Sequence, residues 1–138
     1  MRPMMTILLV GFVSLLPLKT QAQQTQLTLS CQIERAMDVK ADRKAEPSES
    51  FSAIVHMTQD SIATIEATTE YCFDYVGSFS EQQVYGQCEH TVEGRKYSAR
   101  LMINRINGTF EYDFTSIGPG GIVDFEQWGH CTPGKKLF

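Results

Sequence analysis

Apolar and polar residues alternate along most of the chain after its first two dozen positions. The clearest stretch runs from Leu27 to Ile33, where every second residue is apolar. This period of two is that of a half-buried β-strand. Turn-forming residues separate that stretch from others of the same character. Together they predict strands at 27–33, 51–57, 61–67, 71–76, 84–92 and 122–128, and a two-stranded hairpin at 97–115.

Eight short strands at this spacing, with no convincing helical period among them, predict an all-β fold, a small antiparallel meander. The pattern leaves open whether the meander closes into a barrel or folds as a two-layer sandwich. Closure would remove exposed sheet edges. It would also bring together the first and last strands, near which Cys31 and Cys131 lie.

The hairpin at 97–115 is the best-specified element. Asn107-Gly108 at its centre is a strong signal for a two-residue type I′ turn, because both residue types tolerate a positive φ. With that turn, Ile103 lies opposite Tyr112, and the large apolar side chains share one face of the hairpin while the charged ones share the other. A slip of one residue would mix the two faces.

The first 22 residues have the layout of a cleavable secretory signal. Arg2 supplies a basic start, residues 6–18 are mostly apolar, and small residues end the run at Ala22. We therefore expect a signal peptide at 1–22 and a single periplasmic or secreted β domain at 23–138. No second apolar run approaches the roughly 20 residues of a membrane span, so we expect no transmembrane segment after signal cleavage.

The mature chain is acidic. Of the 12 lysines and arginines, Arg2 and Lys19 lie in the predicted signal, which holds none of the 16 acidic residues. The formal charge after cleavage is therefore 10 minus 16, about −6. Nucleic acid and anionic membrane surfaces both need a positively charged partner, so this balance argues against both.

Four cysteines in a secreted chain indicate disulfides, and four cysteines allow three pairings. We favour Cys31 with Cys131, a bond that would tie the ends of the domain together. The second pair is then Cys72 with Cys88, which would staple a hairpin.

Histidines supply the candidates for metal binding or catalysis. His90 follows Cys88 by two residues and His130 precedes Cys131, but neither pair has the C-x-x-C spacing of a structural zinc site. Extending the strand pairing sets Glu70 opposite His90, a general-base arrangement with no nucleophile motif beside it. We therefore expect no metal site, no cofactor and no catalytic residue.

Aromatic residues surround the predicted Cys72–Cys88 bond. With both cysteines facing the core, four neighbours point outward as one stripe: Tyr71, Phe73, Tyr75 and Tyr85. Exposed aromatic residues in a row mark binding surfaces, so this stripe is a candidate binding surface. The alternative is that Gly86 forms a β-bulge, which would reverse the parity and leave these side chains in the core.

Arg105 has the parity of Ile103, so it points toward the apolar side of the sheet, opposite Phe110. A charged group there must be satisfied. We expect its guanidinium to stack on Phe110 or Trp128 and to bond backbone carbonyls at the mouth of the sheet. A second interpretation makes Arg105 a binding residue that anchors the carboxylate of a ligand.

The last third of the chain carries a combination of short motifs. These are the run from Ile103 to Gly108 (INRING), the sequence WGHC at 128–131 and a terminal Leu137-Phe138. The combination resembles small secreted proteins of alphaproteobacteria that have no assigned function. The resemblance implies a bacterial periplasmic β domain and does not imply any particular activity. The arginine and tryptophan near one barrel end also resemble the calycin pattern of lipocalins and avidins. Calycins, however, carry that tryptophan on the first strand, whereas Trp128 lies on the last.

These features predict a non-enzymatic binding or envelope-interaction module, whose partner is an envelope protein or a small ligand. Two alternatives stay open. One is a small-ligand carrier of calycin-like type. The other is a small hydrolase or metal-handling protein that uses His90 and His130.

Overall fold

The computed structural model describes residues 25–38, 41–44, 49–69 and 71–134. The predicted signal peptide and Glu70 lie outside these residues. The described chain is all-β, as predicted, and no helix that could cross a membrane is found in it. Its strands are β1 (Thr25–Asp38), β2 (Ala41–Lys44), β3 (Ser50–Met57), β4 (Ile62–Ala67), β5 (Asp74–Phe79), β6 (Gln83–Val92), β7 (Arg95–Asn104), β8 (Thr109–Gly118) and β9 (Gly121–Pro133).

The strands form one antiparallel meander that closes on itself. From β3 to β9 each strand pairs with the next in chain order, while β1 pairs with β3 on one side and with β9 on the other. The result is an eight-stranded barrel of β1 and β3–β9, so the fold is a barrel and not a sandwich. β2 pairs with the far end of β1, from Arg35 to Asp38.

The inward side chains fill the barrel. Burial alternates along the strands, as in β4, where Ala63, Ile65 and Ala67 are buried and their neighbours are exposed. Tyr75 and Tyr112 are the largest fully buried side chains. An eight-stranded barrel is just wide enough for side chains to fill, so the middle of this barrel is packed core.

The barrel has two ends with different contents. We name one the Arg105 end; it carries the connections at 58–61, 80–82 and 105–108. We name the other the His90 end; it carries residues 68–69, 71–73, 93–94 and 119–120.

Two disulfides are present, in the pairing favoured from the sequence. Cys31 and Cys131 lie directly opposite each other on β1 and β9, the strands that close the barrel, and both are buried. Cys72, in the segment between β4 and β5, is bonded to Cys88 of β6 at the His90 end. A disulfide restricts the unfolded chain, and the first bond does so across 100 residues.

The predicted type I′ turn at Asn107-Gly108 is wrong. β7 and β8 pair Ile103 with Phe110, two residues from the predicted partner, and residues 105–108 form a four-residue connection. Gly108 has a φ of 76°, but Asn107 has no positive φ, and type I′ requires one at both positions. Because a shift of two residues preserves the alternation, the predicted division into an apolar and a charged face is confirmed.

The predicted outward aromatic stripe is also wrong, because Tyr75 is 0% exposed and points into the barrel. β5 and β6 set Gly77 opposite Gly86, three residues from the predicted register, and an odd shift exchanges the two faces of a strand. Gly86 forms no bulge. Instead, the absence of a side chain at Gly86 leaves space for Tyr75, since a Cβ placed on Gly86 would lie 2.8 Å from the Cβ of Tyr75.

Candidate functional site

A pocket of about 440 Å³ opens at the Arg105 end of the barrel. Its floor is made of inward-facing aliphatic side chains from four strands, namely Leu27, Leu29, Val55, Val84 and Ile103. Its rim is formed by residues 104–108 together with Cys131 and Pro133 of β9. The alternation of each strand brings these side chains to one place, so the pocket is apolar below and polar at its edge.

The turn at 105–108, which forms part of the pocket rim, is held by hydrogen bonds from backbone N–H groups to the Asn104 side-chain amide and to backbone carbonyls. The Asn104 side-chain oxygen accepts from the backbone N–H groups of Ile106 at 2.9 Å and Asn107 at 3.1 Å. The N–H of Gly108 donates to the Asn104 carbonyl at 2.9 Å, and the N–H of Cys131 donates to the Gly108 carbonyl at 2.7 Å. These bonds fasten the turn to β9 and give the pocket a fixed edge.

Arg105 lies exposed on this rim. Its backbone N–H donates to the Gln82 carbonyl at 2.8 Å, and its guanidinium donates to the carbonyl of Ser80. The guanidinium carbon lies 5.8 Å from the centroid of the Phe79 ring, within the range of a cation–π contact. The neighbouring β5–β6 connection therefore holds the side chain in place.

The predicted stacking partners of Arg105 are wrong. Phe110 is buried in the core, and Trp128 carries the guanidinium of Arg35 at 5.7 Å from its ring centroid instead. Arg105 lies beyond the end of β7 at Asn104, in the turn, so the strand parity no longer decides its direction. The expected bond to a backbone carbonyl is present.

The four aromatic residues of the predicted stripe do not form one surface. Tyr75 belongs to the core, and Tyr71 is half-buried, stacked on Phe114 with ring centroids 4.2 Å apart. Tyr85 lies on the outer face of β6. Phe73 is 67% exposed. These residues occupy different environments, so they offer no shared binding face.

The two candidate histidines lie on opposite faces of the sheet. His90 has the inward parity of β6, and its ring stacks on Tyr97 with centroids 4.9 Å apart. His130 has the outward parity of β9, and its Nδ1 lies 2.7 Å from a carboxylate oxygen of Glu34. They therefore cannot serve one site. The predicted partner of His90, Glu70, lies outside the described residues.

The sequence did not reveal a second depression, a groove of about 350 Å³ on the outer face of the barrel. Trp128 and His130 line one side of it, Met102 lines the other, and Glu34 and Glu111 supply carboxylates. The alternation along β9 places Trp128 and His130 on the same face. Their approach to Met102 depends on the pairing of β7, β8 and β9.

Comparison of the chain with family models, with curated proteins and with solved structures found no significant match.

Proposed function

We propose that this protein is a non-enzymatic binding protein that acts outside the cytoplasm. Its site is the pocket at the Arg105 end, and its ligand is a small amphiphile with an apolar body and an anionic group. The observation that carries the proposal is the pocket itself, in which an aliphatic floor meets a rim arginine.

The size and lining of the pocket support a small ligand. Sites for small molecules usually enclose about 300–1,000 Å³, are mostly apolar and carry a few polar groups that orient the ligand. The pocket at the Arg105 end has about 440 Å³. Because the middle of the barrel is packed, the ligand would sit at the mouth, unlike the ligand of a deep calycin-type cup.

Arg105 is the group that selects an anion. A guanidinium carries five N–H donors in a fixed fork, and the contact with Ser80 uses one nitrogen of Arg105. The contacts with Phe79 and Ser80 hold the side chain before the ligand arrives, so little conformational entropy is lost on binding. A carboxylate, sulfonate or phosphate of the ligand would accept hydrogen bonds from the Arg105 guanidinium at the rim.

The disulfides support a location outside the cytoplasm, since such bonds persist in oxidising compartments. The secretory signal predicted at 1–22 points the same way. We include in the proposal the bacterial periplasmic setting that the resemblance to alphaproteobacterial proteins implies. The apolar segment of an envelope protein is the competing occupant of the same pocket.

The test is a fluorescence titration with anilinonaphthalene sulfonate, which has an apolar body and one anionic group. We expect saturable binding of one molecule per chain, weakened about tenfold or more by Arg105→Gln, because hydrogen bonds to charged groups contribute about 1.5–3 kcal/mol. Leu27→Trp, which fills the pocket from its floor, should weaken binding as well.

Arg100→Gln is the matched control. Arg100 is exposed on the outer face of β7 and bonded to Asp113 at 3.0 Å, so its removal should leave the affinity unchanged. Near-ultraviolet circular dichroism shows that each variant is folded. Absent or non-saturable binding, or equal losses with Arg100→Gln and Arg105→Gln, would refute the proposal.

A further inference from the structure

The Cys72–Cys88 disulfide lies against an imidazole at the His90 end. The two sulfur atoms and the ring nitrogen lie within 4.8 Å of one another, and Cys72 Sγ is 3.9 Å from His90 Nδ1. We propose that reduction of this disulfide opens a zinc site formed by two thiolates and His90 Nδ1. The site is independent of the pocket at the Arg105 end.

The chemistry requires a reductant, which we take to be a dithiol. The dithiol gives two electrons and two protons to the sulfur–sulfur bond, leaves Cys72 and Cys88 as thiols and itself becomes a disulfide. Each thiol loses its proton when it binds the metal, because the thiolate is the ligand. Two cysteines and one histidine are a known ligand set for Zn²⁺, with a fourth position for water.

Only a small movement of the two sulfur atoms would convert the disulfide into the zinc site. With zinc–sulfur bonds of about 2.3 Å and tetrahedral angles, the two sulfur atoms would lie roughly 3.8 Å apart. A disulfide holds them at about 2.05 Å, so they must separate by less than about 2 Å. The same geometry needs a sulfur–nitrogen distance of roughly 3.6 Å, close to the 3.9 Å between Cys72 and His90.

Strand β6 holds two of the three ligands without help from the disulfide. Cys88 and His90 are two residues apart on the same face, and they pair with Ala99 and Tyr97 of β7. The imidazole lies flat on the Tyr97 ring, with an interplanar angle of 8°, which fixes the plane in which its nitrogens lie. Cys88 is half-buried, so a reductant and a metal ion can reach it.

The third ligand is held by hydrogen bonds within the β4–β5 segment. The N–H of Ala67 donates to the Phe73 carbonyl at 2.8 Å and closes the segment. The hydroxyl of Thr69 donates to the carbonyl of Cys72 itself. Reduction leaves these bonds in place, so the sulfur of Cys72 stays near Cys88 and His90.

The second disulfide provides an internal comparison. Cys31 and Cys131 are 0% and 6% exposed, and the neighbouring histidine, His130, points to the outer face, where it is bonded to Glu34. Cys72 is also buried, at 1% exposed, but Cys88 is half-buried. Limited reduction should therefore open Cys72–Cys88 first, by attack at Cys88, and reduction of Cys31–Cys131 would create no comparable ligand set.

The experiment uses the disulfide-bonded chain treated anaerobically with one equivalent of dithiothreitol, which is then removed by gel filtration. Peptide mapping identifies the opened bond, and Zn²⁺ is titrated in competition with a chromophoric chelator. We expect one Zn²⁺ per chain reduced at Cys72–Cys88 and none for the oxidised chain. Cobalt substitution should give the visible absorption of tetrahedral Co²⁺ bound to thiolates.

His90→Gln should lower the zinc affinity by at least about 10–100-fold, the loss caused by removing even an outer partner of a metal ligand. His130→Gln is the matched control and should leave the affinity unchanged. The inference is overturned if the reduced chain binds no zinc, if His90→Gln binds it as tightly as the parent, or if binding follows only after the near-ultraviolet dichroism of the native fold is lost.

Discussion

Tyr75 is a buried polar residue around which the His90 end is organised. Its hydroxyl lies 2.6 Å from the hydroxyl of Thr69, which in turn donates to the carbonyl of Cys72. Burial raises the pKa of Tyr75 above its ordinary value of 10.0, although hydrogen bonds with Thr69 and Tyr112 act in the opposite direction. The residue therefore stays neutral in the folded protein under conditions in which it ionises in the unfolded chain.

Replacing Tyr75 by Phe tests this role. At neutral pH we expect Tyr75→Phe to lower the free energy of unfolding by about 1 kcal/mol, because the bond to Thr69 is lost. Above pH 10 the unfolded wild-type chain releases a proton that the folded protein retains, so wild-type stability falls as the pH rises. The advantage over Tyr75→Phe should then shrink.

Urea unfolding of both proteins between pH 7 and pH 11 measures this difference. The other tyrosines are present in both proteins, so their contributions to the pH dependence of the unfolding free energy cancel in the comparison. A difference that stays constant across the whole pH range would contradict the assignment.

At the scale of elements, the pairing of β5 with β6 depends on two glycines that face each other. A Cβ on Gly77 would lie 2.0 Å from the carbonyl oxygen of Tyr85, so the two strands approach closely there. A Cβ on Gly86 would lie 2.8 Å from the Cβ of Tyr75 and 2.9 Å from Cδ1 of Ile65. Gly77 therefore permits the close approach of β5 and β6, and Gly86 leaves space for the side chains of Tyr75 and Ile65 inside the barrel.

Gly86→Ala should therefore destabilise the protein by about 1–3 kcal/mol, the usual cost of adding a methyl group to a packed core. Combining it with Ile65→Val removes one of the two clashing atoms, so the double variant should be more stable than the sum of the single losses indicates. Gln87→Ala, exposed on the same strand, is the control and should change stability by less than about 0.5 kcal/mol. Chemical denaturation measures all four; strictly additive losses would argue against the clash.

At the scale of the whole molecule, closure of the barrel depends on β1 meeting β9. The buried Cys31–Cys131 bond crosses that seam and links residues 100 apart, whereas Cys72–Cys88 links residues 16 apart. In the chain-entropy account, loops of these sizes correspond to about 4.7 and about 3 kcal/mol. The longer bond should therefore contribute more to stability.

Two double variants test this ranking. Cys31→Ala with Cys131→Ala should lower the melting temperature further than Cys72→Ala with Cys88→Ala. Differential scanning calorimetry of both, beside the parent, measures the shifts. The reverse order would show that the short bond matters more than its loop length indicates.

The sequence predicted most strands of the barrel and the faces of the β7–β8 hairpin, because alternation is a property of neighbouring residues. It did not predict β2 (Ala41–Lys44), and it placed a strand at 71–76 where β5 runs from Asp74 to Phe79. It did not predict the turn at 105–108, since Asn104 caps that turn through its side chain. It also misplaced Tyr75, because the β5–β6 register sets Gly77 opposite Gly86, and the close packing at these two glycines involves residues far apart in the chain. The pocket at the Arg105 end was not predicted, since its floor gathers side chains from four strands.

The sequence by itself therefore determined the all-β class and the meander of short antiparallel strands, and it favoured, among three possible pairings, the disulfide partners that the structure contains. Closure into a barrel, the position of Arg105 on a pocket rim, and the approach of Cys72 to His90 were decided only by the tertiary structure. The physical reason is that strand propensity and parity are local. Register, packing and the meeting of β1 with β9 are set by contacts between residues far apart in the chain.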